Sequence, residues 1–133
     1  MEKSLKLVPS KVNLTRERVM TIVAAIKAIQ LADCVSDNNL LWALAKNGLS
    51  LREEMEAIEV VKRRLFAKYD IDKDGVIPQQ SNEHRLFSHE WNEFGFQEIP
   101  VKLYKIAESE FVNARIPLVH FVELGPLIIT SEE

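Results

Sequence analysis

Three carboxylates stand at alternate positions in Asp70-Ile71-Asp72-Lys73-Asp74, and Gly75 follows them. Hard cations such as calcium take oxygen ligands at positions 1, 3 and 5 of a twelve-residue loop. They also need a glycine at position 6 for the sharp turn and a bidentate glutamate at position 12. Asp70, Asp72, Asp74 and Gly75 satisfy the first half, and Ile77 supplies the apolar residue at position 8. The second half fails: position 9 is Pro78, position 12 is Ser81, and Glu83 lies two residues too far along. Without the bidentate ligand the loop loses two of roughly seven oxygens and one charge. Asp and Gly also dominate turns for backbone reasons of their own. The segment therefore reads as a turn at the end of a helix, with weak calcium binding at Asp70, Asp72 and Asp74 as the alternative and no metal site assigned.

The other reactive side chains are sparse. His89-Glu90-Trp91-Asn92-Glu93 approaches the zinc-protease pattern H-E-x-x-H, but Glu93 replaces the second histidine. Helical spacing puts His89 and Glu93 on one face, yet no third ligand is evident and His84 is badly spaced for sharing a metal. His120 lies between Val119 and Phe121 in an apolar run and reads as a satisfied or edge histidine. Cys34 is the sole cysteine, so no internal disulfide forms; its neighbours Leu31, Ala32 and Val35 mark it as a small core side chain. There is no G-x-S-x-G, no phosphate-binding glycine loop and no Cys–His pair of known spacing. The sequence thus predicts no catalytic residue, no cofactor and no small-molecule substrate.

The 133 residues suit one domain spanning 1–133, long enough to bury a core without staples. The formal charge of −3 argues against a general nucleic-acid binder and leaves room only for a local basic patch. The N-terminal MEKSLKLVPSK lacks a signal-peptide core, and the apolar run from Val19 to Leu31 is broken by Lys27 and too short for a bilayer. A cytosolic protein without membrane contact is expected.

The elements that must position these residues are mainly helical. Residues 4–8 give a short strand that stops at Pro9. Thr15 or Asn13 caps a helix to about Leu31, with Val19, Ile22, Val23, Ile26 and Ile29 inward. Asp37 or Asn38 starts a second helix with Leu40, Leu41, Leu44 and Ala45 inward, ended by Asn47-Gly48. Ser50 and Glu53 form a capping box for a third, whose stripe is Leu51, Met55, Ile58, Val61, Leu65 and Tyr69. Its charges run from acidic Glu53, Glu54, Glu56 and Glu59 to basic Lys62, Arg63, Arg64 and Lys68, with Glu59 paired to Arg63. A fourth helix over 81–94 turns Leu86, Phe87, Trp91 and Phe94 inward, and Gly95 ends it. Ile99, Val101 and Leu103 alternate as a strand, 107–114 make a helical turn, and Pro117 to Val122 form a second strand. Leu127, Ile128 and Ile129 follow Gly125-Pro126; they either close the protein's own core or dock on a partner or second copy. The fold class is α+β: a helical hairpin or small bundle of three to four helices over 15–95, then a short β-rich segment over 96–133.

The order of these features resembles a group of small proteins of tailed bacteriophages, of siphophage type and unknown function. In that group a helical hairpin ends in a pattern like R-x-L-x-x-K-Y; the stretch here is Arg64-Leu65-Phe66-Ala67-Lys68-Tyr69, with Arg63 before it at the pattern's first position. An Asp- and Gly-rich turn follows, here Asp70 to Gly75, then F-x-x-E-x-x-E, here Phe87 to Glu93. A β-segment (Glu98 to Leu103) and an L-x-P-L-I tail (Leu124 to Ile128) close the chain. The likeness covers about two thirds of the chain. The family's turn is commonly G-x-x-D-x-D-G, and here Tyr69-Asp70 opens the turn with no glycine at its start. The same turn is also a partial, degenerate EF-hand loop. The phage resemblance implies a non-enzymatic structural or assembly protein of neck, tail or capsid, in the host cytoplasm or the virion, whose partners are phage structural proteins or itself. The alternatives are a small phage protein that inhibits a host enzyme, with acidic Glu53 to Glu59 facing a basic target, and a weak calcium module.

Overall fold

The computed structural model describes residues 7–69, 82–112 and 114–129. The expected calcium ligands Asp70, Asp72 and Asp74 lie outside the described residues. The architecture is α+β. Strand β1 (Val8–Thr15) leads into helices α1 (Arg16–Ala32), α2 (Asn38–Ser50), α3 (Arg52–Lys68) and α4 (Asn82–Gly95). Strand β2 (Glu98–Ala107), a 3-10 turn at Glu108–Phe111, the short helix α5 (Leu118–Glu123), a second 3-10 turn and strand β3 (Ile128–Ile129) complete it.

The sheet order is β1-β2-β3, with β1 antiparallel and β3 parallel to β2. Of the strand expected over 4–8, residues 4–6 lie outside the described residues; the observed strand begins at Val8 and does not stop at Pro9 but runs through it to Thr15. The register shows why a proline is tolerated. Pro9 lies opposite Tyr104, whose N–H and C=O both turn away from β1 to the side chain of Asn47. Pro9 therefore occupies a non-hydrogen-bonded pair, where its missing N–H faces the open edge of β1. Pro100, opposite Asn13, has the same parity as Tyr104, and β3 reaches only residues 106–107, so no ladder bond is lost there either.

Helix α1 starts as expected, with the Thr15 hydroxyl accepting from the Arg18 N–H at 3.1 Å. All five predicted inward positions from Val19 to Ile29 are buried. The helix ends on Asp33 in the left-handed region (φ 51°), a conformation that Asp tolerates better than most side chains. Cys34 is half-buried against the core, its Sγ 3.8 Å from the Ile29 carbonyl.

Asp37 caps α2 through the Asn39 N–H at 2.9 Å. The expected stop at Asn47-Gly48 does not occur, because the helix continues to Ser50. Leu40, Ala43 and Leu44 face the core, whereas Leu41 and Ala45 are only half-buried. The Ser50–Glu53 capping box is absent too. Ser50 instead donates its hydroxyl to the Lys102 carbonyl at 2.6 Å, and α3 follows α2 after the single residue Leu51. Of the α3 stripe, Leu51, Ile58 and Leu65 are buried and Met55, Val61 and Tyr69 half-buried. The expected Glu59–Arg63 ion pair is replaced by an Arg63 Nε bond to the Glu59 backbone carbonyl, and the i,i+4 pair on this helix is Arg52–Glu56 at 3.3 Å.

The segment expected as a second C-terminal strand, Pro117 to Val122, is helical. Its β-branched residues favour a strand in isolation, but such propensity is weak against packing. Here Phe121 meets Phe111 edge-to-face at 5.5 Å, and Leu124 and Leu127 are fully buried just beyond. The core draws on α1, α2, α3, β2 and these two leucines.

Candidate functional site

Helices α1, α2 and α3 leave a groove of about 860 Å³ between them. Its apolar walls include Val23 and Ile26 of α1, Leu49 of α2, and Met55 and Val60 of α3. Leu49 is 64% exposed and Val60 58% exposed, so the groove opens to solvent rather than into the core. Lys27, Arg63 and the Arg52–Glu56 pair form a charged rim.

Gly48 also lines the groove, in the last turn of α2. A helical glycine costs roughly 1 kcal/mol relative to alanine. A Cβ placed there would stand 3.8 Å from Ile26 Cγ2, an ordinary contact, so packing does not demand the glycine. What Gly48 provides is depth between α1 and α2. Sequence reasoning missed this because a glycine after asparagine is also a common helix terminator.

A second apolar surface lies on α5, where Leu118, Val119 and Val122 are 60–76% exposed. Apolar groups concentrated in this way on a small protein mark contact surfaces more often than single exposed residues do.

Among the described residues, those singled out for chemistry form no common cluster. His89 and Glu93 come within 3.5 Å on α4, but both are largely exposed. His120 sits in α5 rather than in a strand, its Nδ1 2.9 Å from Glu123 Oε1. Among the described residues no group of three or more His, Cys, Asp or Glu is arranged to hold a metal ion. No described helix is long and apolar enough to cross a membrane. Of the tail residues, Leu127 is fully buried and Ile128 half-buried opposite Ile106 in the parallel pair; Ile129, 39% exposed, is the part left facing outward.

The ion pair with shifted protonation equilibria lies elsewhere, between α3 and α4. Lys68 Nζ is 2.6 Å from Glu90 Oε1. The hydrogen bond from Lys68 holds the Glu90 carboxyl below its ordinary range, and the same bond raises Lys68. Both groups face solvent, and the pair sits beside a ladder of rings formed by Phe66, Tyr69, Phe87, Trp91 and Phe94. Comparison with protein-family models, with curated proteins and with solved structures found no match to this chain.

Proposed function

We propose that this protein is a non-enzymatic assembly protein that takes an amphipathic helix of a partner into the groove between α1, α2 and α3. The observation that carries the reading is the groove itself, with exposed Leu49 and Val60 on its walls and Gly48 kept where alanine would fit. Helix-in-groove recognition uses apolar anchors at i, i+3 or i+4 and i+7 on the ligand, framed by polar groups that set its direction. The rim of Lys27, Arg63 and the Arg52–Glu56 pair supplies such a frame. The resemblance to small tailed-phage proteins suggests the setting: neck, tail or capsid assembly in the host cytoplasm, with or without incorporation into the virion.

The test is capture of the tagged chain from phage-producing cells, read by mass spectrometry, for the wild type and for Val60→Asp. Val60 is exposed, so this substitution is expected to change stability by less than about 0.5 kcal/mol. Virion proteins recovered in fixed ratio by the wild type, and depleted at least tenfold with the variant, support assembly through the groove. Recovery of one host enzyme in their place makes the protein an inhibitor. Equal recovery by both chains overturns the groove reading.

A further inference from the structure

The overall charge of −3 hides a concentrated basic surface on the sheet. In the register of β1 and β2, Lys11 lies directly opposite Lys102. This pair shares the parity of Pro9–Tyr104, so it too is non-hydrogen-bonded, the spacing at which facing side chains come closest. Like charges opposed in this way are destabilising. Both lysines are exposed, and neither makes an ion pair among the described residues. A third ammonium, Lys46 of α2, joins them and likewise makes no ion pair among the described residues. Its Nζ is 5.0 Å from the Tyr104 ring centroid and 5.6 Å from that of Trp42. Lys102 Nζ lies 5.5 Å from the same Tyr104 ring.

The cluster is held in place before any ligand arrives. Asn47, next to Lys46 and fully buried, donates to the Tyr104 carbonyl at 2.9 Å and accepts from the Tyr104 N–H at 2.8 Å. Its neighbour Ser50 is bonded to the Lys102 carbonyl. The helix bearing Trp42 and Lys46 is thus fastened to the backbone of the strand bearing Lys102 and Tyr104. Trp42 remains 48% exposed. The carboxylate of β2 with the same parity, Glu98, is four residues from Lys102, roughly 13 Å along the strand.

We propose that this face binds single-stranded nucleic acid, with backbone phosphates on Lys11, Lys46 and Lys102 and a base stacked on Trp42. An open sheet face with aromatic side chains framed by cations is a general solution for single strands, because every base offers a π-face and every nucleotide a phosphate. An acidic peptide would satisfy the lysines but would leave the exposed indole without use. The proposal does not depend on the helical groove, since none of Lys11, Trp42, Lys46, Lys102 and Tyr104 lines it.

The test is titration of the full-length protein with fluorescein-labelled oligo(dT), read by anisotropy and by quenching of tryptophan emission. Three phosphate contacts predict a slope of log affinity against log salt of roughly −2 for a single strand. Lys46→Glu with Lys102→Glu is expected to weaken binding at least tenfold, and Trp42→Phe to remove the quenching while the protein stays folded. No binding at low salt overturns the proposal. So does binding unchanged in the double variant, or polyglutamate competing as well as unlabelled oligo(dT), which would make the face a reader of charge alone.

Discussion

Where α2 meets β2, the contact closes over one buried amide; where α3 meets α4, it closes over rings that stay half in water. On the first side Asn47 is fully buried and makes three hydrogen bonds, to the Ala43 carbonyl and to both backbone groups of Tyr104. Its side chain stands in for a neighbouring strand, finishing the edge of β2 that β3 is too short to cover. On the second side α4 buries only Gly95, and Phe87 and Trp91 stack at 6.2 Å with planes 7° apart. Arg16, with its guanidinium 4.2 Å from the Phe94 ring and bonded to the Phe94 carbonyl, ties the end of α4 back to α1. A buried polar bridge has one correct geometry, whereas half-exposed ring contacts tolerate several. The α2–β2 seam should therefore open only when the whole protein unfolds, and the α3–α4 side should open on its own.

Removing the bridge has the largest expected effect. Asn47→Ala leaves the N–H and C=O of Tyr104 without partners in a part-buried seam. The expected loss is about 3 kcal/mol, or roughly 10 °C in Tm, from urea and thermal unfolding. A loss under about 1 kcal/mol would mean that water replaces the amide, and the contrast between the two sides would collapse. Trp91→Ala comes next, at about 2 kcal/mol, since a half-buried ring loses less than a buried one. Its signature is local: hydrogen exchange should accelerate in α4 and the end of α3 while the amides of β2 keep their protection. Uniform acceleration would show that the two sides unfold together.

Gly48→Ala is smaller and of opposite sign. The methyl group fits beside Ile26, so the variant should gain about 0.5–1 kcal/mol in urea unfolding. Partner capture should fall at the same time because the groove becomes shallower. A stabilised variant with undiminished capture would assign the glycine to neither packing nor binding.

These residues also mark what the sequence could tell. Helix α1 was legible because its cap and its 3-and-4 spacing depend on near neighbours alone, and Thr15, Val19, Ile22 and Ile29 all take their expected places. Strand β2 was legible over Ile99 to Leu103 for the same reason. Asn47 was misread as a stop signal because its true partner, Tyr104, is 57 residues away. Ser50 was misread as a cap because Lys102 claims its hydroxyl. Pro117 to Val122 reads as a strand until Phe111 and the buried leucines beyond it are in position. The candidate surfaces were the least legible part: the groove needs three helices at once, and the lysine cluster needs the register of β1 against β2. Composition reported only the sum of the charges and so concealed where they gather.

The weakest prediction concerns the Lys68–Glu90 ion pair, which joins the two helices of the ring ladder. Glu90→Gln keeps the shape of the side chain and removes its charge opposite Lys68. Because both groups face solvent, the expected change at pH 7 is about 1 °C in Tm. Its pH dependence carries more information than its size. The Glu90 carboxyl is held below its ordinary range in the folded protein, so its contribution is present above the unfolded value, about pH 4, and fades as pH falls through the lower folded one. Lys68 is raised, so its share is present below the ordinary lysine range and is lost as pH climbs through the folded value. Wild type and Glu90→Gln should therefore differ at neutral pH and converge in acid, below both carboxyl values. Curves that remain parallel from pH 7 down to about pH 2 would mean the pair adds nothing and the rings alone hold α4 to α3. In that case, 0.5 M salt should leave α4 hydrogen exchange unchanged, since screening weakens ion pairs and leaves apolar contacts intact.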